Sequence, residues 1–79
     1  MKVIVYKEIE IFNGRWVEVK CEFDVSGDEI NEWSEIRPAE GEDLTLSERA
    51  MIAELDARVV FKDDEIFEAY DKEIEKSLY

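Results

Sequence analysis

The sequence predicts an α+β fold, a small antiparallel sheet (a β-hairpin plus a possible third strand) covered on one face by two C-terminal helices. Residues 2–25 alternate between apolar and polar side chains, which is typical of strands with one buried face. Residues 45–78 instead carry apolar side chains at helical spacing. We therefore expect a single domain over 1–79, with the sheet in 2–37 and the helical part in 45–78.

The register of the hairpin follows from the positions of its apolar residues. A two-residue loop would set Ile9 opposite Glu18, whereas a three-residue loop over 12–14 pairs Ile9 with Val17. The longer loop is favoured because it puts apolar residues on one face, and Gly14 then takes the left-handed position of a G1 bulge. The same register pairs Val5 with Cys21 and Val3 with Phe23.

Two polar side chains fall on the apolar side of the hairpin. Lys7 lies opposite Val19 in this register, so we expect its stem over the rim of the core and its ammonium in water. Cys21 is expected to be a buried, inert thiol, because a reactive thiol needs an electropositive and partly exposed setting.

The segment 28–37 is compatible with a helix or a strand. The capping-box spacing of Ser26 and Glu29, together with a three-residue apolar repeat, favours a short helix. A third strand would instead complete the sheet, since a two-stranded hairpin is only marginally stable alone. We favour a strand over Glu29–Ile36 that ends before Pro38.

The last 35 residues predict two helices. Thr45–Glu48 forms a capping box ahead of a helix expected over Leu46–Arg58, which the β-prone residues 59–61 close or interrupt. Asp63 is the expected N-cap of a second, strongly amphipathic helix over Asp64–Leu78. The apolar positions are Met51, Ile52, Leu55 and Val59 in the first helix and Ile66, Phe67, Tyr70, Ile74 and Leu78 in the second.

Charge is the outlying property of the chain. Twenty-two acidic residues against ten basic ones give a net charge of −12, and self-repulsion at this density destabilises a compact state. Solubility, disorder or a basic partner could each account for it, but a hydrophobic content of 46% argues against disorder. The sign disfavours direct contact with nucleic acid or an anionic membrane.

The residue types needed for catalysis are scarce. The sequence contains no histidine and only one cysteine, which removes the commonest general base and excludes a thiolate zinc cluster. The acidic segments 24–28, 40–43 and 63–65 could hold a cation loosely, but none has the EF-hand spacing. We therefore predict no enzymatic activity, no catalytic residues, no metal and no cofactor. Without a signal peptide or an apolar run of about 20 residues, the predicted compartment is the cytoplasm.

Two groups of carboxylates and two tryptophans are the candidate partner-binding residues. On the second helix, four carboxylates fall within about 60° of one another, opposite the apolar stripe, in axial steps of about 4.5–6 Å. We call these four the acidic row: Asp64, Glu68, Asp71 and Glu75. A second group begins within the segment 28–37 and continues beyond it. We call it the acidic segment: Glu29, Glu32, Glu35, Glu40, Glu42 and Asp43. Trp16 and Trp33 are aromatic side chains of the kind that anchor protein interfaces.

The chain resembles, in kind rather than in sequence, the small acidic proteins that phages encode. The resemblance covers the opening Met1–Val5, the hairpin Ile9–Val25, and the run Leu44–Arg49 that leads into an acidic helix. Such proteins include anti-restriction and anti-CRISPR inhibitors that imitate DNA or block its binding groove. The resemblance implies a stoichiometric inhibitor of a basic nuclease or surveillance protein, and it assigns no role to any single residue.

Two hypotheses about function follow. The first is a non-enzymatic inhibitor that binds a basic nucleic-acid-handling protein of the host through an acidic, DNA-mimicking surface and competes with its substrate. The second is a small structural or adaptor protein, with a homodimer as one form, whose charge serves solubility. Salt separates them, because a contact between opposite charges weakens as the Debye length falls, whereas a hydrophobic contact barely changes.

Overall fold

A computed structural model describes residues 1–12 and 14–77 of the chain. The strands are β1 (Lys2–Glu10), β2 (Trp16–Ser26), β3 (Glu29–Trp33) and β4 (Arg37–Pro38). The helices are α1 (Leu46–Ala53), α2 (Ala57–Val60) and α3 (Asp63–Ser77). The four strands form one antiparallel sheet in the order β1-β2-β3, with β4 also paired to β2. The predicted α+β fold is therefore confirmed.

The predicted register of the hairpin is confirmed. Ile9 pairs with Val17, as the three-residue loop requires. Gly14 has a φ of +78°, in the left-handed region, and its N–H donates to the Ile11 carbonyl at 2.9 Å. Asn13 lies outside the described residues. The alternation of apolar residues along the strands and the glycine required by the turn thus indicate the same register.

The third strand exists but is shorter than predicted. β3 ends at Trp33, not at Ile36. The Ser34 N–H still donates to the Glu22 carbonyl at 2.9 Å, and the Ser34 hydroxyl accepts from the Glu22 N–H at 3.1 Å. Between the Trp33–Phe23 pair and the Arg37–Lys20 pair the register shifts by one residue, and Ile36 lies in the core, where it is 1% exposed.

Pro38 does not end the sheet as predicted. Arg37 and Pro38 form β4 and pair with Lys20 and Val19 of β2. Proline cannot donate to a ladder, and a two-residue strand at the edge of the sheet tolerates that loss.

The predicted first helix is divided in two. The capping box of Thr45–Glu48 is present, but α1 ends at Ala53 instead of continuing to Arg58. The Asp56 carboxylate accepts a hydrogen bond from the Arg58 N–H at 2.9 Å and caps the one-turn helix α2. An aspartate that bonds to the backbone two residues ahead competes with helix continuation. The division also leaves Val59 exposed, so its predicted place on the buried stripe was wrong.

The start of α3 differs from the prediction by one residue. The Lys62 carbonyl accepts the first helical hydrogen bond from the Ile66 N–H at 3.1 Å, so Lys62 is the N-cap and Asp63 the first helical residue. The Glu65 carboxylate bonds back to the Lys62 N–H at 2.8 Å, in the manner of a capping box. Leu78, the last predicted stripe residue, lies outside the described residues.

The core lies between the helices and one face of the sheet. Phe23 of β2 and Phe61 after α2 are both fully buried and meet edge to face, with ring centroids 5.6 Å apart. Cys21 is buried as predicted, and desolvation raises the pKa of its thiol. Its Sγ donates to the Ser34 carbonyl at 3.2 Å.

Lys7 pairs with Val19 as predicted, and its side chain is 29% exposed, but its ammonium is also bound within the chain. The Nζ donates to the Val60 carbonyl at 2.8 Å and to the Glu65 carboxylate at 2.9 Å. Lys7 therefore holds the connection between α2 and α3 against the core-facing side of β1, because its one ammonium donates hydrogen bonds to an acceptor in each helix.

Candidate partner-binding surface

The acidic row lies on α3 with all four of its carboxylates exposed, as the helical period predicts. Over its 15 residues, α3 carries seven carboxylates and two lysines. Lys72 lies 3.4 Å from Glu68 and Lys76 lies 3.4 Å from Glu73, so only one member of the row has a lysine within ion-pair distance among the described residues. Exposed pairs of this kind are weak, and the helix keeps a strongly negative outer face.

The helix dipole acts differently on the two ends of the acidic row. Asp64 lies in the first turn, where the positive end of the dipole favours a carboxylate. Glu75 lies in the last turn, where the dipole opposes it and the neighbouring Lys76 compensates in part. The C-terminal part of the row is therefore the part that gains most from a basic partner.

The acidic segment does not form one surface. Glu29 and Glu32 of β3 pair with Ser26 and Asp24, near the end of β2. Glu40 instead forms an ion pair with Lys20, four residues earlier on β2. A strand rises about 3.4 Å per residue, so the two parts lie more than about 13 Å apart along β2. Glu35 and Asp43 are exposed and Glu42 is half-buried.

Part of the acidic segment is already neutralised within the chain. A hydrogen bond from Lys20 is the main cause that lowers the pKa of Glu40, and the Tyr6 hydroxyl adds to it. By contrast, Glu29, Glu32 and Glu35 lie in no ion pair among the described residues.

The two tryptophans lie far apart. Trp16 is 60% exposed and pairs with Glu10 near the hairpin turn. Trp33 is 46% exposed and pairs with Phe23, seven residues further along β2. Because a strand alternates its faces, Trp16 and Phe23 lie on opposite faces of the sheet. A single partner surface therefore does not use both rings as adjacent anchors.

A cation–π contact joins Trp33 to the start of α3. The Arg58 guanidinium lies 5.1 Å from the centroid of the Trp33 ring and also forms an ion pair with Asp63. The Trp33 end of the sheet is thus connected to the helix that carries the acidic row, as β1 is through Lys7 and Glu65. No local sequence pattern indicates this contact, because β3 and α2 are far apart in the chain.

The sequence did not predict that one carboxylate, that of Glu48, would be buried. Glu48 is 4% exposed, and its Oε1 accepts from the Thr45 N–H at 3.0 Å and lies 3.2 Å from the Arg15 guanidinium. Arg15 also donates to the Asp43 carbonyl at 2.7 Å. The capping box predicted the bond to Thr45, but nothing local indicated that the hairpin would supply the cation.

The described residues contain no group of three or more histidine, cysteine or acidic side chains arranged to hold a metal ion. Within the same residues, no helix has the length and apolar character needed to cross a membrane. Comparison with protein-family models, with curated proteins and with solved structures finds no match to this chain.

Proposed function

We propose that this chain is a non-enzymatic inhibitor that binds a basic, nucleic-acid-handling protein in the host cytoplasm and blocks its substrate site. The acidic row carries the proposal, because four exposed carboxylates follow one line on a rigid helix. From Asp64 to Glu75 the row covers 12 residues, or 11 steps of about 1.5 Å, which is about 16 Å along the helix. A strand of DNA presents a phosphate about every 3.4 Å along its axis, so the row is a sparser imitation of one strand.

The ion pairs of the chain support an outward-facing excess of negative charge. The six basic side chains in described ion pairs are Lys7, Arg15, Lys20, Arg58, Lys72 and Lys76. Since these cations bond to the chain's own carboxylates, they present little positive charge to a partner. A protein built to hold phosphates with Lys and Arg would meet complementary charge, which raises the association rate at low salt.

A second candidate function is that of an adaptor or homodimer, and exposed apolar side chains favour it. Ile4 and Tyr6 of β1 are each 50% exposed on the sheet face opposite the helices, which Trp16 shares. Exposed apolar residues grouped on one face are typical of protein contacts. On this alternative the contact is apolar, and the charge of the chain serves only solubility.

A pull-down at two salt concentrations separates these functions. The tagged chain is incubated with host lysate at about 50 and about 500 mM salt, and captured proteins are identified by mass spectrometry. A nucleic-acid-binding protein that is captured at low salt and released at high salt supports inhibition by charge. Capture that is indifferent to salt, or capture of the chain alone, contradicts it and favours the adaptor.

Two matched variants show which carboxylates make the contact. One reverses the acidic row by Asp64→Lys, Glu68→Lys, Asp71→Lys and Glu75→Lys. The other makes the same change of charge by Glu29→Lys, Glu32→Lys, Glu35→Lys and Asp43→Lys. We expect the first to weaken capture by at least about 100-fold and the second to weaken it much less. The reverse result would move the contact to the acidic segment.

A further inference from the structure

The outer edge of β1 has no strand partner among the described residues, where β1 pairs with β2 alone. Met1 and Val25 exchange two backbone hydrogen bonds, at 2.9 and 2.8 Å, and the Ile11 N–H donates to the Arg15 carbonyl at 2.9 Å. Because such pairs alternate along an antiparallel ladder, the odd-numbered residues of β1 bond to β2. The backbone N–H and C=O groups that point outward are those of Lys2, Ile4, Tyr6, Glu8 and Glu10.

A cleft of about 270 Å³ lies beside this edge, between β1 and α3. Ile4, Val5 and Tyr6 line it on the strand side, and Glu65, Glu68, Ala69 and Lys72 line it on the helix side. Ala69 has only a methyl side chain, so α3 can lie beside the strand without filling the cleft. An extended segment paired with β1 would therefore find space for its side chains next to the helix.

The charge of α3 and of the whole chain favours a basic occupant. Glu65 and Glu68 of the cleft already lie within ion-pair distance of Lys7 and Lys72, but α3 carries seven carboxylates against two lysines, and the whole chain carries −12. A segment with Lys or Arg at alternate positions would place those side chains on the helix side of the new strand pair, since strand side chains alternate between faces.

A second copy of the chain fits this edge less well. Antiparallel pairing of two β1 strands continues the sheet about a two-fold axis normal to it, so both α3 helices would lie on the same face. Each helix carries seven carboxylates and two lysines, and the two helices would flank the new strand pair. Repulsion between them disfavours the dimer relative to a basic segment.

We propose that β1 is a docking edge at which an extended basic segment of the partner adds as a fifth strand, with alternate Lys or Arg side chains in the cleft beside α3. Backbone hydrogen bonds supply affinity in this mode of binding, and the side-chain cleft supplies selectivity. The proposal rests on the proposed function only in taking the partner to be basic.

Amide hydrogen exchange on the full chain tests the docking edge. The probe is a synthetic peptide of eight alternating lysine and valine residues, and the control is the same peptide with every backbone nitrogen methylated. We expect the unmodified peptide to slow exchange at the outward amides of Ile4, Tyr6 and Glu8 by at least about tenfold. We expect the methylated peptide to give no such protection, because it keeps the charge but its N-methyl groups lie at the pairing edge and hold its carbonyls away from the outward N–H groups of β1.

A pair of variants at one position gives an independent reading. Tyr6→Pro removes an outward N–H without removing a bond to β2, and Tyr6→Ala keeps that N–H while removing the same ring. Protection by the peptide should be lost in Tyr6→Pro and retained in Tyr6→Ala. If Tyr6→Pro does not fold, the comparison of the two peptides on the unmodified chain still shows whether a strand adds to β1.

Four results would overturn the docking edge. The first is no protection of the outward amides at about 1 mM peptide, and the second is equal protection by both peptides. The third is a dimer in sedimentation that Tyr6→Pro dissociates, which would make a second copy the occupant. If Tyr6→Pro still captures a nucleic-acid-binding protein that the row-reversed variant loses, strand addition is wrong while the proposed function stands.

Discussion

Carboxylates of α1 and α3 have opposite environments. Glu48 in α1 is buried and bonds to both Arg15 and the Thr45 N–H. The carboxylates of the acidic row on α3 are exposed, and only Glu68 lies within ion-pair distance of a lysine among the described residues. An acid that is buried must be satisfied inside the chain, whereas an exposed one is free to meet a partner.

This contrast shows that negative charge has two different physical effects in the molecule. At Glu48 it holds the loop before α1 against the hairpin turn, because Arg15 also bonds to the Asp43 carbonyl. Along α3 it adds self-repulsion and little cohesion, since like charges one helical turn apart cost a few tenths of a kcal/mol. Stability should therefore depend on the first kind of acid, and partner binding on the second.

The largest expected effect on stability comes from removing the buried carboxylate. Glu48→Ala should lower the free energy of unfolding by about 1–3 kcal/mol, because the Thr45 N–H and the Arg15 guanidinium lose their acceptor. The exposed control Glu68→Ala should change it by less than about 0.5 kcal/mol. Urea unfolding of both variants measures the difference. Equal decreases in the free energy of unfolding would contradict the distinction between buried and exposed acids.

A smaller effect is expected from Glu65, which lies between the two extremes at 34% side-chain exposure. The Lys62 N–H is the main cause that lowers the pKa of Glu65, and Lys7 adds to it. Because the folded pKa is depressed, the contribution of Glu65 is present above its ordinary value of about 4.5 and is lost as the pH falls through the folded value.

Urea unfolding at a series of pH values tests this prediction. Between about pH 5 and pH 3, the unmodified chain should lose more stability than Glu65→Gln, which has no carboxylate to protonate. Parallel curves for the two proteins would contradict the account of Glu65. Because the two proteins differ only at residue 65, the protonation of their other acids changes the stability of both by the same amount.

The smallest expected effects lie within the acidic row and have opposite signs. Glu75→Gln should raise the free energy of unfolding by about 0.3–1 kcal/mol at low salt, because the helix dipole opposes a carboxylate in the last turn. Asp64→Asn should lower it by a similar amount, because the dipole favours a carboxylate in the first turn. Thermal unfolding at low salt and at about 0.5 M salt, where both changes should shrink, measures them. Changes of the same sign would contradict the role of the dipole.

The parts of the fold that the sequence predicted well are those set by local periodicity. Alternation in residues 2–25 determined the hairpin register, and the helical period of α3 placed the acidic row on its exposed side. The break at Asp56 was missed because one side-chain hydrogen bond outweighed a continuous apolar spacing. Likewise, the early end of β3 involves a register shift against β2 and a bond between the Ser34 hydroxyl and Glu22, across the sheet.

The candidate site was less predictable than the fold. Exposure of the acidic row follows from its spacing, but the division of the acidic segment depends on strand pairing and on the ion pair of Glu40 with Lys20. The contacts of Arg58 with Trp33 and of Arg15 with Glu48 join residues distant in sequence, the latter 33 positions apart. No local pattern encodes such pairs, so they require the folded structure.

Competition with DNA tests the central claim most directly. A nucleic-acid-binding protein captured by the chain is loaded with labelled duplex DNA and titrated with the unmodified chain or with the row-reversed variant. We expect the unmodified chain to displace the DNA, less effectively as salt rises, and the row-reversed variant to leave it bound. A ternary complex in which chain and DNA are held together, or equal displacement by both proteins, would contradict inhibition through the acidic row.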